Sequence, residues 1–438
     1  MAEIYRNLLV IVCFGLLGWG LIRMERIYQY PFFMGAIFIS FLLPQAFALV
    51  NNPGLLDQTA LERVLLVSSL CAAACWLGYQ GKPNIRWLSQ FQTNIDKNKL
   101  FQAANLLMFI GYLCYFLRQN TPDTTIDGSL TGAGTIYFFF GQTIYIAFSI
   151  FLLEVFKKPS IQNIIFTLLS GWIPLQRVLI GRRQTTMVLV IMIGFSFFLI
   201  RRYVPPRWLV ILAIFLMTVL IPAIGAMRGN LWDAVFSGEW QTILSTSQKS
   251  LDTLNKGEIL ELRNAAFLIK ATAHLNLYGL GAGWWDAIIQ TLIPGQILGF
   301  GFKQSLQFNF LAGPNNLRTN NILYDLYGYS WQSGTTPTGI GESFVEFGYL
   351  GCLVFALIGY FFKHLWVSAY YHKSLFSSLL YMGLISSAML SLTHGIGRFL
   401  QEALFQIGVI SLVIFYSRSE QNKSRIFLDE KNFKNSFR

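Results

Sequence analysis

Long apolar runs recur along almost the whole chain, and short polar segments separate them. A run of about 20 apolar residues crosses a bilayer as a helix, because in lipid every backbone polar group must be satisfied within the segment. The period-2 alternation typical of a membrane β-barrel is absent from the sequence. The pattern therefore predicts an all-α polytopic membrane protein with eleven spans, at residues 7–22, 31–50, 61–79, 100–117, 135–155, 161–180, 185–200, 208–225, 343–362, 375–392 and 399–416.

The first run reads as a span and not as a cleavable signal. It is followed by Arg-Met-Glu-Arg at residues 23–26, where a signal peptide would carry a small-residue cleavage site. The shortest separation between two runs lies at Gly181, where only Arg182 and Arg183 interrupt the apolar sequence.

The distribution of Lys and Arg predicts the orientation. With the C-terminus in the cytoplasm, the cytoplasmic segments hold 19 basic residues and the short outer segments hold seven. Cytoplasmic loops carry the excess of basic residues, so the N-terminus is expected outside. The predicted organisation is then spans 1–8 over residues 1–225, an extracytoplasmic loop with short helices over 226–342, spans 9–11 over 343–417, and a cytoplasmic tail over 418–438.

Composition agrees with this class. The chain has 438 residues, of which 54% are apolar and 12% charged, whereas a soluble domain carries about 25% charged residues. The net charge of +12 does not indicate a nucleic-acid partner, because no soluble basic domain carries it. The cysteines all fall inside predicted spans, so neither a disulfide framework nor a zinc spacing is present: Cys13, Cys71, Cys75, Cys114 and Cys352.

Three arginines at the outer face break the positive-inside pattern. Arg177, Arg182 and Arg183 flank the turn at Gly181, partly within the apolar zone. One interpretation is that they extend to the headgroups of the outer leaflet. The other is a fixed anion site, because arginine at membrane depth is costly and its guanidinium matches phosphate oxygens.

The loop at residues 226–342 has a composition that suits carbohydrate. Its seven basic and eight acidic residues nearly balance, and it holds five of the eleven tryptophans. Aromatic faces stack on sugar rings while neighbouring amides and hydroxyls bind the sugar hydroxyls. The candidate sugar-binding residues are Trp284, Trp285, Trp331 and Tyr324. An aromatic belt at the membrane interface is the alternative interpretation.

Two parts of this loop have helical or interfacial patterns. Residues 245–274 carry apolar positions at helical spacing and predict one helix. Residues 286–302 are apolar but interrupted by Pro294, Gly295 and Gly299, which favours a re-entrant or interfacial segment over a span.

A motif at the exit of the loop places two acids at the outer start of a helix. Glu342 and Glu346 are one helical turn apart. A helix N-terminus stabilises acids there without any further role. Gly348 and Gly351 follow, and glycines in a span permit close helix packing.

Three more polar residues are predicted at the outer face. Arg228 directly follows a span, and either anchors it in the headgroups or joins the anion site. His394 and Arg398 lie between the last two spans. His394 is a polar contact or a base, and Arg398 is spaced to pair with Glu402 at i+4 or to bind an anion.

The chain resembles the bacterial oligosaccharide repeat-unit polymerases of the O-antigen polymerase type. The resemblance rests on the Gly-Arg-Arg sequence at 181–183, the long outer loop, and the segment Pro-Thr-Gly-Ile-Gly-Glu at 337–342 that runs into Glu-Phe-Gly-Tyr-Leu-Gly at 346–351. It covers most of the chain in architecture, through short motifs. It implies a membrane glycosyltransferase (GT-C-like) fold.

The resemblance also implies an activity, a location and partners. Such enzymes join polyprenyl-pyrophosphate-linked oligosaccharides on the outer face of the bacterial inner membrane, for surface polysaccharides such as the O-antigen of lipopolysaccharide. Membrane lipids and a chain-length regulator are the implied partners, besides the lipid-linked substrate. No cofactor and no metal are implied.

The implied reaction needs cations and a base. Arginines would neutralise the departing pyrophosphate, with Arg177, Arg182, Arg183, Arg228 and Arg398 as candidates. Glu342 is the first candidate for the base that accepts the sugar hydroxyl proton, and His394 the second.

Two other functions stay open at this point. The related O-antigen ligases carry a His followed by Asn, Ser or Gln eleven residues before the first glycine of the Gly-x-x-Gly motif. This chain has Pro337 and Thr338 there, which argues against a ligase-like transferase. A lipid-linked oligosaccharide transporter or flippase is disfavoured by the large loop and by the lack of internal repeats.

Overall fold

The fold was analysed in a computed structural model, which describes residues 1–91, 93–121, 124–126, 129–131, 133–227, 231–257, 260–308, 320–330, 332 and 335–419. Helices dominate these residues, and a short antiparallel hairpin joins β1 (Thr124–Ile126) to β2 (Ser129–Thr131). The helices are α1 (Ala2–Ile22), α2 (Tyr30–Ile37), α3 (Leu43–Asn51), α4 (Gln58–Tyr79), α5 (Ile85–Gln90), α6 (Lys97–Gln119), α7 (Ala133–Gly141), α8 (Thr143–Lys157), α9 (Ile161–Leu179), α10 (Arg183–Arg201), α11 (Arg207–Ala226), α12 (Leu231–Phe236), α13 (Trp240–Asn255), α14 (Glu261–Leu275), α15 (Ala282–Leu292), α16 (Gly295–Leu298), α17 (Phe300–Ser305), α18 (Asn320–Tyr327), α19 (Thr338–Phe347), α20 (Cys352–Tyr370), α21 (Leu375–His394) and α22 (Ile396–Tyr416).

The prediction of a polytopic α-helical membrane protein is confirmed. Within the described ranges, nine helical stretches are long and apolar enough to cross a membrane. They coincide with nine of the eleven predicted runs: Ala2–Ile22, Tyr30–Asn51, Gln58–Tyr79, Lys97–Gln119, Ala133–Lys157, Gln184–Arg201, Thr338–Tyr370, Leu375–His394 and Ile396–Tyr416. The two other predicted spans coincide with helices α9 and α11, so a total of eleven spans stays a prediction.

Three of these stretches are interrupted helices. A π-helical turn at Phe38–Leu42 joins α2 to α3, a turn at Gln142 joins α7 to α8, and a 3-10 turn at Gly348–Gly351 joins α19 to α20. The predicted boundary between loop and span at residue 342 therefore falls inside a helix, because α19 begins at Thr338.

Small residues let helices approach closely in the core. Where α4 crosses α20, a Cβ on Gly78 would collide with the backbone of Ala356, and a Cβ on Gly359 would lie 2.8 Å from the carbonyl oxygen of Cys75. Close backbone approach increases van der Waals contact, which is the main source of attraction between helices in lipid. The five cysteines lie in helices of spanning length and are free thiols, as the sequence predicted.

The polar segments gather at two ends of the bundle. We name the basic end the one that holds residues 23–29, 80–91, 93–96, 202–206, 371–374 and 417–419. Hydrogen bonds join these segments to one another. Arg202 Nη2 donates to the Tyr370 carbonyl over 3.3 Å, and the Asp96 N–H donates to the Ser417 carbonyl over 2.8 Å.

The opposite end, named the loop end, holds residues 52–57, 180–182, 231–257, 260–308, 320–330, 332, 335–337 and 394–397. Arg263 Nη2 donates to the Asn52 carbonyl over 2.5 Å, and the Trp232 indole N–H donates to the Val178 carbonyl over 2.9 Å. The segments joined by these contacts at one end are thus segments predicted to face the same side of the membrane.

The single helix predicted over residues 245–274 is wrong. The chain forms α13, which ends at Asn255, and α14, which begins at Glu261. Gly257 lies between them with φ of +70°, a conformation that few residues other than glycine adopt. α14 is buried on almost all sides and packs against α4 and α19, so part of the long loop forms the core of the loop end.

Candidate functional site

The turn between α21 and α22 is built around the carboxylate of Glu342. Gly395 forms this turn with φ of +99° and ψ of 154°, a region open essentially to glycine alone. A Cβ on Gly395 would collide with the Glu342 carboxylate. The Gly397 N–H donates to Glu342 Oε2 over 3.2 Å, so Glu342 of α19 caps the first turn of α22.

His394 occupies the same turn, as the last residue of α21. Its side chain is exposed, and its Nδ1 lies 2.6 Å from the Thr393 hydroxyl. Glu342 and His394 are 52 positions apart in the sequence, and the fold brings both base candidates to one short segment.

Glu346 lies one turn further along α19 and contacts another element. It is fully buried, and its Oε2 accepts a 2.8 Å hydrogen bond from the Gly281 N–H, just before α15. The spacing of the two acids is as predicted, but they hold the starts of two different helices. Together they fix α15 and α22 to α19.

Arg398 connects this turn to the predicted anion site. Its Nε donates to Glu402 Oε1 over 3.2 Å, which confirms the predicted i+4 pair, and its Nη2 lies 3.5 Å from Gln184 Oε1. Gln184 directly follows Arg183 at the start of α10. Glu402 is only 5% exposed and also accepts the Ser387 hydroxyl. The arginine is therefore held from both sides.

The predicted break at Gly181 is confirmed. α9 ends at Leu179, Gly181 has φ of +80°, and α10 begins at Arg183. Arg182 is exposed, whereas Arg177 is half-buried with its guanidinium 5.3 Å from the ring centre of Tyr115.

The five arginines predicted to bind pyrophosphate do not all have the same surroundings. Arg398 and the start of α10 meet through Gln184, but the Arg177 side chain lies over an aromatic ring of α6. Arg228 lies outside the described residues.

The predicted sugar-binding residues differ in their exposure to solvent. Trp284 is 7% exposed and packs 5.6 Å from Phe347, beside Gly397. Trp285 is 44% exposed and its indole N–H donates to the Leu306 carbonyl over 2.8 Å. Tyr324 is 63% exposed. Trp331 lies outside the described residues.

A buried polar network beside the turn was not predicted. The Asn264 amide of α14 donates to the Thr335 hydroxyl over 2.9 Å and accepts the Tyr329 hydroxyl over 2.6 Å. Burial raises the pKa of Tyr329 to about 12, so its hydroxyl stays a donor to Asn264. These residues are far apart in sequence, and no spacing pattern connects them.

The network continues to the residue before His394. The Thr336 hydroxyl lies 2.8 Å from Glu261 Oε2 and also contacts the Thr393 carbonyl. These contacts hold the segment before α19 against the end of α21, which fixes the position of the turn between α21 and α22.

An open cavity also lies at the loop end, beside α12 and α13, with a volume of about 550 Å³. Of the predicted site residues that the structure describes, none is among those that line it, which are Met227, Asp233, Ala234, Ser237, Glu239, Thr242 and Thr246.

No family model matches the chain, and neither does any curated protein or solved structure.

Proposed function

We propose that this membrane protein is a metal-independent glycosyltransferase that polymerises lipid-linked oligosaccharide repeat units. The donor is a chain on polyprenyl pyrophosphate and the acceptor is a sugar hydroxyl of a second lipid-linked unit. The C1–O bond of the donor sugar to the pyrophosphate breaks, a new glycosidic bond forms, and the hydroxyl proton passes to a base.

One observation carries the proposal. The candidate bases Glu342 and His394 share one turn with Arg398, and Arg398 reaches the start of α10 next to Arg182 and Arg183. Glu342, His394 and Arg398 thus lie together at the loop end, which also carries the exposed aromatic rings of Trp285 and Tyr324. A charged leaving group and a hydroxyl nucleophile require this combination.

Within this proposal His394 is the better candidate for the base. Its ring is exposed, while Glu342 is 7% exposed and accepts a backbone N–H of α22. The positive end of the α22 dipole also stabilises a carboxylate there. Glu342 then orients the turn and the acceptor.

Arginines hold the pyrophosphate in this scheme. Arg398 shares its Nε with Glu402 but keeps further N–H donors for a phosphate oxygen. Arg182 and Arg183 supply charge from the start of α10. Trp285 and Tyr324 offer exposed faces to sugars.

The proposal includes a location. The protein would adopt a GT-C-like fold with eleven spans in the bacterial inner membrane, with the loop end outside. A chain-length regulator would be its protein partner.

The test uses purified protein in liposomes with a defined repeat unit linked to polyprenyl pyrophosphate. Wild type should produce a ladder of oligomers. His394→Ala should slow the reaction by about 10²-fold or more, because general-base catalysis contributes at least this much. His274→Ala is the matched control, since His274 is exposed at the same end but contacts Tyr327 and not the turn.

Three outcomes decide between the candidate functions. Full activity of both His394→Ala and Glu342→Gln would reject this site. Transfer of single units to a lipid A core acceptor, without a ladder, would favour the ligase-like alternative. Movement of the lipid-linked unit across the bilayer without any new glycosidic bond would favour the transporter.

A further inference from the structure

A second cavity lies at the basic end, at the opposite end of α22 from the turn between α21 and α22. It is a groove of about 650 Å³ between the last turns of α22, the start of α21 and the segment after α5. Its lining is mostly apolar: Phe91, Thr93, Phe376, Gly408, Ser411, Leu412, Ile414, Phe415 and Arg418.

Backbone hydrogen bonds hold the groove together. The Asp96 N–H donates to the Ser417 carbonyl over 2.8 Å, and the Ser419 N–H donates to the Asn94 carbonyl over 3.1 Å. The Ser374 hydroxyl donates to the Phe91 carbonyl. These bonds fasten the segment across the end of α22, so the groove has fixed walls.

The open side of the groove lies on the surface of α22, a helix long and apolar enough to cross a membrane. Leu412 and Phe415 are 70% and 73% exposed on a helix of membrane-spanning length. Gly408 is exposed, and no atom lies within 4 Å of the position that its Cβ would take. The occupant must therefore be hydrocarbon, since the walls offer little else.

The positively charged side chain of Arg418 lies at one end of the groove. Arg418 is exposed, and within the described part of the chain it forms no ion pair. The neighbouring acid Asp96 instead accepts the backbone N–H groups of Asn98 and Lys99 at the start of α6. The guanidinium of Arg418 therefore favours an occupant that carries negative charge.

We infer that this groove binds one acyl chain of an anionic phospholipid of the bilayer, with the lipid phosphate on Arg418. A guanidinium donates two parallel N–H groups to phosphate oxygens. Basic positions at the cytoplasmic ends of spans bind anionic headgroups in the same way. The inference does not depend on the proposed catalytic activity.

The test measures lipid that stays bound to the purified full-length protein, by native mass spectrometry. The protein is first stripped with detergent and then offered phosphatidylcholine with a minor fraction of phosphatidylglycerol. We expect phosphatidylglycerol to be enriched on wild type. Arg418→Ala should reduce this enrichment about five-fold, the usual contribution of one basic residue near an anionic membrane. Arg201→Ala, which removes another exposed arginine at the end of α10, next to the basic end, should leave it unchanged.

A second pair of variants tests the groove itself. Gly408→Phe fills the groove without a collision of its Cβ and should abolish retention of either lipid there. Gly15→Phe is the control, because Gly15 is also exposed on a spanning helix with no atom near its Cβ position. Thermal unfolding of each purified variant verifies that the fold is intact.

Three results would overturn the inference. Equal retention of the two lipids would mean that no headgroup is recognised. Unchanged enrichment on Arg418→Ala would remove the phosphate from that residue. Retention only in a chain that ends at Ser419 would show that the tail fills the groove.

Discussion

Gly395 and Glu342 depend on each other at the level of single residues. The glycine provides a backbone conformation that other residues avoid, and its missing Cβ leaves room for the carboxylate that caps α22. The sequence singled out both segments, but it gave no sign that they touch. The partner of Arg398 was predictable because i and i+4 positions on a helix are always neighbours, whereas Trp284 could only be placed by the fold.

This dependence predicts the effect of a methyl group at residue 395. Gly395→Ala should lower the free energy of unfolding by about 3 kcal/mol or more, because backbone strain of about 1–3 kcal/mol adds to the collision with Glu342. Gly299→Ala isolates the strain alone, since Gly299 has φ of +93° and open space at its Cβ position. Thermal unfolding in detergent measures both, and an equal loss in the two variants would contradict the role assigned to Glu342.

The planar guanidinium of Arg398 leads to a second prediction, on the effect of replacing it with lysine. Arg398→Lys keeps the charge but loses the planar fork that reaches Glu402 and Gln184 together. We expect polymer synthesis to fall nearly as far as in Arg398→Ala, and the same for Arg183→Lys against Arg183→Ala. Full synthesis by the Lys variants at normal expression would leave these arginines as membrane anchors.

The ion pair between Asp57 and Lys270 predicts a dependence on pH. Its length is 2.9 Å, and the hydrogen bond from Lys270 lowers the pKa of Asp57 below its ordinary 3.8. A lowered carboxyl pKa stabilises the fold above pH 3.8 and loses this contribution as the pH falls towards the folded value. Because Asp57 is half exposed, the contribution is at most about 1 kcal/mol.

Wild type and Asp57→Asn should therefore differ in unfolding temperature at neutral pH and converge as the pH falls below 3.8. A difference that grows on acidification would contradict the sign. Glu62→Gln serves as a comparison, since Glu62 pairs at the same end with the N-terminal amine over 3.8 Å only.

Among the helices, apolar periodicity located most of them but predicted only some of the breaks between them. The break at Gly181 was predictable because two arginines divide an apolar run. The break between α13 and α14 was not, although Gly257 marks it, because the apolar spacing continues on both sides. The position of α14 within the core needed contacts with α4 and α19 that are remote in sequence.

The junction of α19 and α20 offers a test at this scale. A Cβ on Gly351 would collide with the carbonyl oxygen of Ser343, so the 3-10 turn requires glycine. Gly351→Ala should cost about 1–3 kcal/mol in the free energy of unfolding, as overpacking usually does. Gly18→Ala is the control, because Gly18 lies in α1 with no atom near its Cβ position. Equal stability of both variants would contradict a tightly packed turn.

For the whole molecule, the fold separates two ends, and the charge distribution predicts which side of the membrane each end faces. Residues predicted to face one side contact one another: Lys270 pairs with Asp57, and Arg202 donates to the Tyr370 carbonyl. Contacts alone establish which segments share an end. The orientation in the membrane follows only from the excess of Lys and Arg at the basic end.

This orientation is tested with single cysteines in a background without the five native ones. Leu55→Cys probes the loop end at a side chain that is 66% exposed, and Lys82→Cys probes an exposed position of the basic end. In intact cells a membrane-impermeant maleimide should label the first variant and leave the second unlabelled until the membrane is permeabilised. Because the fold holds the two positions at opposite ends, the opposite labelling would invert the whole molecule. It would put the α21–α22 turn in the cytoplasm, where a polymerase acting on exported lipid-linked units could not work.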